Sequence, residues 1–292
     1  MKRRQFTKFA CLGASLAPLI SGCEPAAKKA PLIPETVSVK KDLSLKKAEA
    51  EAFAMKTHQE FMTVKDFKME GNEQIAMLLY PKFTALDLVG PQFLFASLMG
   101  AKVHLISPTD DLTPVMSDTG LAIAPTHTQS ECPDNLDLLF LPGGATGTLK
   151  AMQNPQFIDF IKTKAATAKY ITSVCTGSLL LGKAGLLKGK KATSHWVTLD
   201  LLGNFGAIPV KERVVWDGNI ITGAGVTAGL DFGLEVIAAL RGKAYAEATQ
   251  LQVEYDPQPP FNSGSPEKAD VRIKNALQGM FAPLHVELEA EI

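Results

Sequence analysis

Short apolar runs and longer helix-like segments alternate along the chain from about residue 73 to residue 253. The short runs have the length and composition of strands, whereas the longer segments place apolar residues at helical spacing. The pattern predicts strands at 74–80, 102–107, 121–124, 136–141, 171–174, 192–194, 207–210, 214–216 and 219–222, and helices at 86–99, 155–168, 179–187, 226–240 and 245–253. Because several strands are apolar throughout, we predict an α/β fold with helices on both faces of a mostly parallel sheet.

Three features with chemical potential fall where predicted strands end. Asp87 follows the first strand, Gly143-Gly144 follows a middle strand, and Cys175 stands between a strand and a helix. In open parallel sheets the ligand site lies beyond the carboxyl ends of the strands. The sequence therefore predicts that these residues meet at one edge of the sheet.

Cys175 is the candidate nucleophile. A thiol at a strand-to-helix turn faces the positive end of the helix dipole, which favours the thiolate. We expect the backbone N–H groups of Gly144 and Thr176 to form an anion hole beside it. The alternatives are a buried cysteine that acts as a small hydrophobe and, for Gly143 and Gly144, a tight turn.

The other candidate site residues each have a functional and a structural interpretation. Asp87 lies among apolar residues and is either a general acid/base beside the thiol or a helix cap. The Thr176 hydroxyl either binds substrate or water, or caps the following helix. His195 ends another predicted strand and either lines the pocket or is a structural histidine.

Residues 1–23 have the pattern of a bacterial export signal. The pair Arg3-Arg4 suggests a twin-arginine signal, and the apolar stretch at 9–20 is too short to span a bilayer comfortably. The segment 20–23 resembles a lipobox, in which Cys23 is lipidated and becomes the mature N-terminus. An ordinary cleaved signal or a misplaced translation start are the alternatives. We expect an exported protein of the cell envelope (periplasm), anchored to the membrane by lipid.

The segment 24–72 forms an N-terminal extension, with a tether at 26–34 and a helix at 44–62 capped by Ser44. Of the four cysteines, Cys132 and Cys175 remain after the signal is removed and Cys23 is lipidated. Their positions do not suggest a disulfide.

Composition excludes several classes of function. The chain has 292 residues with 30 basic and 30 acidic side chains, so it has no net charge that would attract nucleic acid. It contains no Cys-x-x-Cys or His-x-x-x-His spacing, and we therefore expect no metal site.

Seven motifs, taken together, resemble the ThiJ/PfpI superfamily (class I glutamine amidotransferase-like) and, within it, the isonitrile hydratases. They are Leu-Asp-Leu-Val-Gly-Pro at 86–91, Leu-Pro-Gly-Gly at 141–144, Thr-Ser-Val-Cys-Thr-Gly-Ser at 172–178, Ala-Thr-Ser-His-Trp at 192–196, Gly-Ala-Ile-Pro at 206–209, Gly-Val-Thr-Ala-Gly-Leu-Asp-Phe at 225–232 and Glu-Tyr-Asp-Pro-Gln-Pro-Pro-Phe at 254–261, followed by Ser-Gly-Ser-Pro at 263–266. The resemblance covers a domain at 73–266 and leaves a helical tail at 267–292.

The resemblance implies a flavodoxin-like three-layer sandwich with a cysteine at a nucleophile elbow. It also implies catalytic roles for Cys175, Asp87 and Thr176, a small-molecule substrate, no cofactor and a homodimer. Proteases of the superfamily carry a histidine directly after the cysteine, where this chain has Thr176. The DNA-binding regulators append a long helix-turn-helix domain, whereas only 267–292 follow here.

Two functional hypotheses follow. The first is an isonitrile hydratase-like enzyme that adds water to an isocyanide through a cysteine thioimidate and gives an N-substituted formamide. The second is a non-enzymatic envelope protein that binds a small molecule or senses oxidants by reversible oxidation of Cys175.

Overall fold

The structure is a computed structural model that describes residues 43–292. The export signal, the lipobox with Cys23 and the tether at 26–34 lie outside the described residues. The predicted helix at 44–62 is present as α1 (Leu43–Met62). It begins before Ser44, so this residue lies within the first turn. Among the described helices, none is both long and apolar enough to cross a membrane.

The chain divides by its contacts after Thr57, and the unit His58–Ile292 holds the sheet and the candidate site. The strands are β1 (Gln74–Leu78), β2 (Lys102–Ile106), β3 (Val115–Met116), β4 (Ala122–Ile123), β5 (Leu138–Leu141), β6 (Tyr170–Val174), β7 (Lys191–Ala192), β8 (Ile208–Pro209), β9 (Val214–Asp217) and β10 (Ile220–Gly223). The helices after α1 are α2 (Ala85–Ala96), α3 (Thr146–Met152), α4 (Pro155–Ala165), α5 (Gly177–Lys183), α6 (Ala228–Arg241), α7 (Lys243–Gln252) and α8 (Val271–Glu289).

The central sheet has the strand order β2-β1-β5-β6-β10-β9. All neighbouring pairs are parallel except β10 and β9, which are antiparallel. The pairs β3-β4 and β7-β8 form separate small sheets. The predicted α/β flavodoxin-like fold with a mostly parallel sheet is therefore confirmed.

The apolar strands are buried because helices pack against them. Every residue of β5 is fully buried, as expected for a strand covered on both faces. On one face Phe95 of α2, Phe140 of β5 and Phe232 of α6 pack together, with ring centroids 5.7–6.3 Å apart. Tyr80, which follows β1, packs edge-on against Phe157 of α4 at 5.9 Å.

The structure adds elements that the hydrophobic pattern does not predict. α3 is a short helix that begins after Ala145, whose φ is 41°. Its first residues, Thr146-Gly147-Thr148, have low helix propensity and no apolar periodicity. A 3-10 helix at Asp200–Phe205 likewise falls between two predicted strands.

A buried ion pair joins the end of α6 to the segment before β1. The Arg241 guanidinium is fully buried, and its Nε and Nη2 donate to the Glu73 carboxylate at 2.6 and 2.5 Å. It also donates to the backbone carbonyls of Lys68, Met69 and Met99. These bonds satisfy a charge that would otherwise be costly to bury.

Candidate active site

Cys175 occupies a strained turn between β6 and α5. Its φ is 58°, a left-handed conformation that is uncommon for residues other than glycine. Its N–H donates to the carbonyls of Gly223 at 3.0 Å and Ala224 at 2.7 Å. Its carbonyl accepts from the hydroxyls of Ser178 and Ser194, both at 3.1 Å. These bonds hold the strained conformation, which is a feature typical of functional sites.

The carboxyl group of Asp87 is buried beside this turn. Its Oδ2 accepts from the Gly143 N–H at 3.0 Å, while Oδ1 is buried without a hydrogen-bond partner among the described residues. Burial raises the pKa of Asp87 to about 7, although the Cys175 thiol and the Gly143 N–H partly lower it. Asp87 accepts no hydrogen bond from the first turn of its own helix, so its role differs from that of a helix cap.

Gly143 is the point where the candidate residues meet. A Cβ at this position would lie 2.6 Å from Asp87 Oδ2, 2.7 Å from the Thr176 nitrogen and 2.8 Å from Cys175 Cβ. No side chain fits within such distances, so only glycine permits this approach. The structure therefore brings Asp87, Gly143, Cys175 and Thr176 together.

The ionisation of Cys175 differs from the sequence-based expectation. Complete burial raises the pKa of the thiol well above its ordinary value, and the charge of Asp87 raises it further. The Thr176 N–H lowers the pKa, but α5 spans only Gly177–Lys183 and does not outweigh burial. The direction of this pKa shift is therefore opposite to the one expected from the helix dipole, and with Asp87 ionised it favours the protonated thiol.

Asp87 and Cys175 consequently act as one titrating pair. When Asp87 is ionised, its charge keeps the proton on the thiol. If the proton moves to Asp87, the repulsion from its charge disappears, and burial is the main effect that still raises the pKa of the thiol. The pair can therefore supply a nucleophile and an acid in the same event without any external base.

The predicted anion hole is also incorrect in part. The Gly144 N–H donates to Thr176 Oγ1 at 2.9 Å, so it is already occupied. The Thr176 N–H and the Thr176 side chain both lower the pKa of the Cys175 thiol, which agrees with a role of Thr176 beside the sulfur. The Thr176 hydroxyl makes no capping bond to α5 and instead lies 2.8 Å from Thr148 Oγ1.

His195 lies in the wall of an adjacent cavity of about 990 Å³. Its ring packs against Trp196 and Phe281, with centroids 5.9 and 6.2 Å away. Burial lowers the pKa of His195, which keeps the imidazole neutral. No hydrogen bond joins its side chain to Cys175 or Asp87 within the described part of the chain, so His195 lies outside the thiol–carboxyl cluster.

The same cavity lies next to residues that are hydrogen-bonded to the backbone of Cys175. Ser194 and Ala224 line it, and both are hydrogen-bonded to the backbone of Cys175. Cys175 itself is 5% exposed and does not line the cavity. The reacting atoms are therefore shielded from bulk water directly behind the cavity wall.

Three residues that lie at or beside the site were not predicted from the sequence to have a role there. Tyr80 ends the first predicted strand, Thr148 belongs to the unpredicted α3, and Ser194 stands beside His195 in one of the family-like motifs.

Over residues 43–292 there is no group of three or more His, Cys, Asp or Glu side chains placed to bind a metal ion. Cys132 and Cys175 are both buried free thiols.

The fold agrees with that of solved ThiJ/PfpI proteins, and the chain belongs to the DJ-1/PfpI family. The family's sequence profile matches residues 73–239. Isonitrile hydratase from Pseudomonas putida is 51% identical over 219 residues, which are 75% of this chain and 94% of that protein. An uncharacterized protein from Methanocaldococcus jannaschii, MJ0967, is 30% identical over 172 residues, or 58% of this chain and 83% of that protein.

Solved structures agree with this assignment. A THiJ/PfpI family protein from Pseudomonas syringae superposes with a TM-score of 0.75 and 53% identity, covering 78% of this chain and 93% of its own. Drosophila melanogaster DJ-1beta superposes with a TM-score of 0.58 and 22% identity, covering 63% and 98% of the two chains. The second comparison supports the fold alone.

Proposed function

We propose that this protein is an isonitrile hydratase, an enzyme that adds water to R–N≡C and releases the formamide R–NH–CHO. The buried Cys175–Asp87 pair meeting at Gly143 is the observation that carries the proposal, because the reaction needs a soft nucleophile and one proton shuttle. Its 51% identity to the Pseudomonas putida isonitrile hydratase supports the same reaction.

The first step forms a thioimidate. The carbon of an isocyanide carries a lone pair, so Asp87 in its protonated form delivers a proton to that carbon. The Cys175 sulfur, which has given its proton to Asp87, attacks the same carbon and forms the C–S bond. The product is R–N=CH–S–Cys175, and Asp87 is left as a carboxylate.

The second step hydrolyses this intermediate. Water bound between Asp87 and Thr176 gives a proton to Asp87 while its oxygen attacks the carbon. Asp87 then passes this proton to the imine nitrogen, which gives R–NH–CH(OH)–S–Cys175 and leaves Asp87 as a carboxylate. Collapse of this adduct breaks the C–S bond, forms the carbonyl and returns the hydroxyl proton to the Cys175–Asp87 pair. Asp87 Oδ1, buried without a partner, is available for this proton transfer.

The test compares two buried cysteines. We expect Cys175→Ala to abolish hydration of cyclohexyl isocyanide, measured as formamide by chromatography, while circular dichroism shows an unchanged fold. Cys132→Ala is the matched control, since this thiol is also buried and free but hydrogen-bonds only to the Pro133 carbonyl. Substantial turnover by Cys175→Ala would refute the proposal.

The same samples distinguish an enzyme from a redox sensor. Peroxide reacts with thiolates, and the raised pKa of Cys175 holds the resting thiol neutral. We therefore expect turnover of isocyanide and slow oxidation, measured by intact mass during peroxide titration. Selective, rapid oxidation of Cys175 without turnover would support the sensing hypothesis instead.

We propose that the protein is exported and anchored to the cell envelope by lipid on Cys23. The lipobox pattern at 20–23 and the charged segment before it support this proposal. Membrane fractionation should recover the full chain with the membranes and Cys23→Ser in the soluble fraction. Equal membrane recovery of both would argue against the anchor.

We also propose a homodimer. One side of α2 exposes Leu86, Val89 and Phe93, with 45%, 38% and 56% of their surface accessible, beside the buried Asp87. An apolar stripe of this kind on a helix is typical of an interface. Sedimentation velocity should show a dimer that Phe93→Glu dissociates. Met280→Glu, at a residue 76% exposed on α8, should leave the dimer intact.

A further inference from the structure

A chain of buried hydroxyl groups leads from the body of the domain to Thr176. The Tyr80 hydroxyl donates to the Pro142 carbonyl at 2.6 Å and lies 3.1 Å from Thr148 Oγ1. Thr148 Oγ1 in turn lies 2.8 Å from Thr176 Oγ1, which accepts the Gly144 N–H at 2.9 Å. Tyr80, Thr148 and Thr176 are all at most 5% exposed, so the Tyr80 and Thr148 hydroxyls depend on hydrogen-bond partners within the protein.

The number of hydroxyl protons fixes which residue donates and which accepts in each hydrogen bond of this series. Tyr80 has one hydroxyl proton, which it gives to the Pro142 carbonyl, so Tyr80 must accept from Thr148. Thr148 then has no proton left and must accept from Thr176. The reverse order would place two oxygen lone pairs against each other between Tyr80 and Thr148, which is unfavourable in a buried site.

The retained proton on Tyr80 agrees with its surroundings. Burial raises the pKa of the Tyr80 hydroxyl well above its ordinary value, and the charges of Asp87 and Cys175 raise it further. Tyr80 therefore remains a donor to the Pro142 carbonyl throughout the physiological range. The donor and acceptor roles of Thr148 and Thr176 follow from this fixed role of Tyr80.

We infer that Tyr80 and Thr148 are positioning residues that set the Thr176 hydroxyl as a hydrogen-bond acceptor for the attacking water. The Thr176 proton is committed to Thr148 and one lone pair is committed to Gly144, which leaves a single lone pair free. A water that donates one proton to this lone pair and the other to Asp87 directs its own lone pair at the thioimidate carbon.

This inference rests on the proposed hydration reaction and concerns its second step only. Without Thr148, the Thr176 proton has no buried acceptor, and it can turn towards the water or the intermediate. The water then loses a partner that orients it. A misplacement of this kind reduces the rate of the step on the order of 10²-fold. The Thr176 side chain already lowers the pKa of the Cys175 thiol. A freed Thr176 proton can only favour the thiolate further, so attack by Cys175 is not slowed.

The experiment separates the two steps in rapid-quench mass spectrometry with cyclohexyl isocyanide. In Thr148→Val, which keeps the shape of the side chain, we expect adduct formation at no less than the wild-type rate and breakdown on the order of 10²-fold slower. The Cys175 thioimidate then accumulates. Thr148→Ser restores the hydroxyl and should restore breakdown to within a few-fold of wild type. Tyr80→Phe frees the Thr148 proton and should shift the rates in the direction of Thr148→Val.

Breakdown at the wild-type rate in Thr148→Val, or equal losses in both steps that Thr148→Ser does not repair, would overturn the inference. Neutron diffraction of the deuterated wild-type protein tests the proton order without any turnover. Deuterium on Thr176 Oγ1, directed at Thr148, supports the inference, and deuterium on Thr148 Oγ1, directed at Thr176, overturns it. If the wild type forms no adduct with isocyanides, the proposed function fails while the neutron result still decides the proton order.

Discussion

At the scale of single residues, the site depends on a carboxyl group that is buried, where its charged form is unfavourable. Asp87 is fully buried, and one of its oxygens lacks a partner in the described structure. This burial is useful for the proposed reaction, because a carboxyl group with a pKa of about 7 can both give and take a proton near neutral pH. The catalytic proposal therefore predicts a measurable conflict between stability and activity at this residue.

Asp87→Asn should reveal that conflict as a pH-dependent gain in stability. Folding raises the pKa of Asp87 from 3.8 to about 7, so the folded state loses stability as the pH rises from about 4 to 7. The lost free energy of unfolding is up to about 4 kcal/mol. Urea unfolding should show the variant gaining stability relative to wild type between pH 5 and pH 8, with activity abolished. A gain that is independent of pH would contradict the assigned pKa.

The pH dependence of activity follows from the same titration. Below a pH of about 7 the Asp87–Cys175 pair holds two protons, and the reaction needs the form that holds one. We therefore expect kcat/KM for cyclohexyl isocyanide to rise with pH and to have its midpoint near 7, after subtraction of the spontaneous acid hydrolysis. A constant kcat/KM from pH 5 to pH 8 would show that Asp87 is not the group that controls the reaction.

At the scale of elements, the site is assembled by turns that approach one another too closely for side chains. The turn after β5 carries Gly143, the turn after β6 carries Cys175, and α2 carries Asp87. Placing these turns at one sheet edge is a consequence of parallel strands, which is why the sequence predicts the convergence. The distances within it depend on the strained backbone of Cys175, which no pattern of residues expresses.

Gly143→Ala tests this close approach. The added Cβ would meet Asp87 Oδ2, the Thr176 nitrogen and Cys175 Cβ at 2.6–2.8 Å, so the turns must move apart. We expect kcat to fall on the order of 10²-fold, measured with cyclohexyl isocyanide. Gly279→Ala in α8, where the Cβ would meet nothing within 4 Å, is the control and should keep full activity. Equal activity of the two variants would show that the approach is not required.

At the scale of the whole molecule, the order of strands and helices could be predicted because it depends on apolar runs. The strand predicted at 136–141 and the helix predicted at 226–240 are present as β5 and α6, with small changes at their ends. The sequence left the burial of Cys175 open and did not predict the occupied Gly144 N–H, since both depend on contacts between residues distant in sequence. The same is true of α3, whose first turn contains little helical signal.

We expect the Arg241–Glu73 ion pair to stabilise the entire domain. Arg241→Ala leaves the Glu73 carboxylate and three backbone carbonyls without their donor. We expect the free energy of unfolding to fall by about 3–5 kcal/mol, measured by urea denaturation. Arg272→Ala removes an ion pair whose arginine is 88% exposed and should change stability little. Similar effects of both variants would contradict a structural role for the buried pair.

In the proposed reaction the Cys175 sulfur bonds to the isocyanide carbon during turnover. The most direct measurement is to quench the wild-type enzyme while it converts cyclohexyl isocyanide, digest it and weigh the peptides. We expect the peptide with Cys175 to gain the mass of one intact isocyanide, and the peptide with Cys132 to stay unmodified. Continued turnover with Cys175 unmodified at every time point, together with activity in Cys175→Ala, would contradict it.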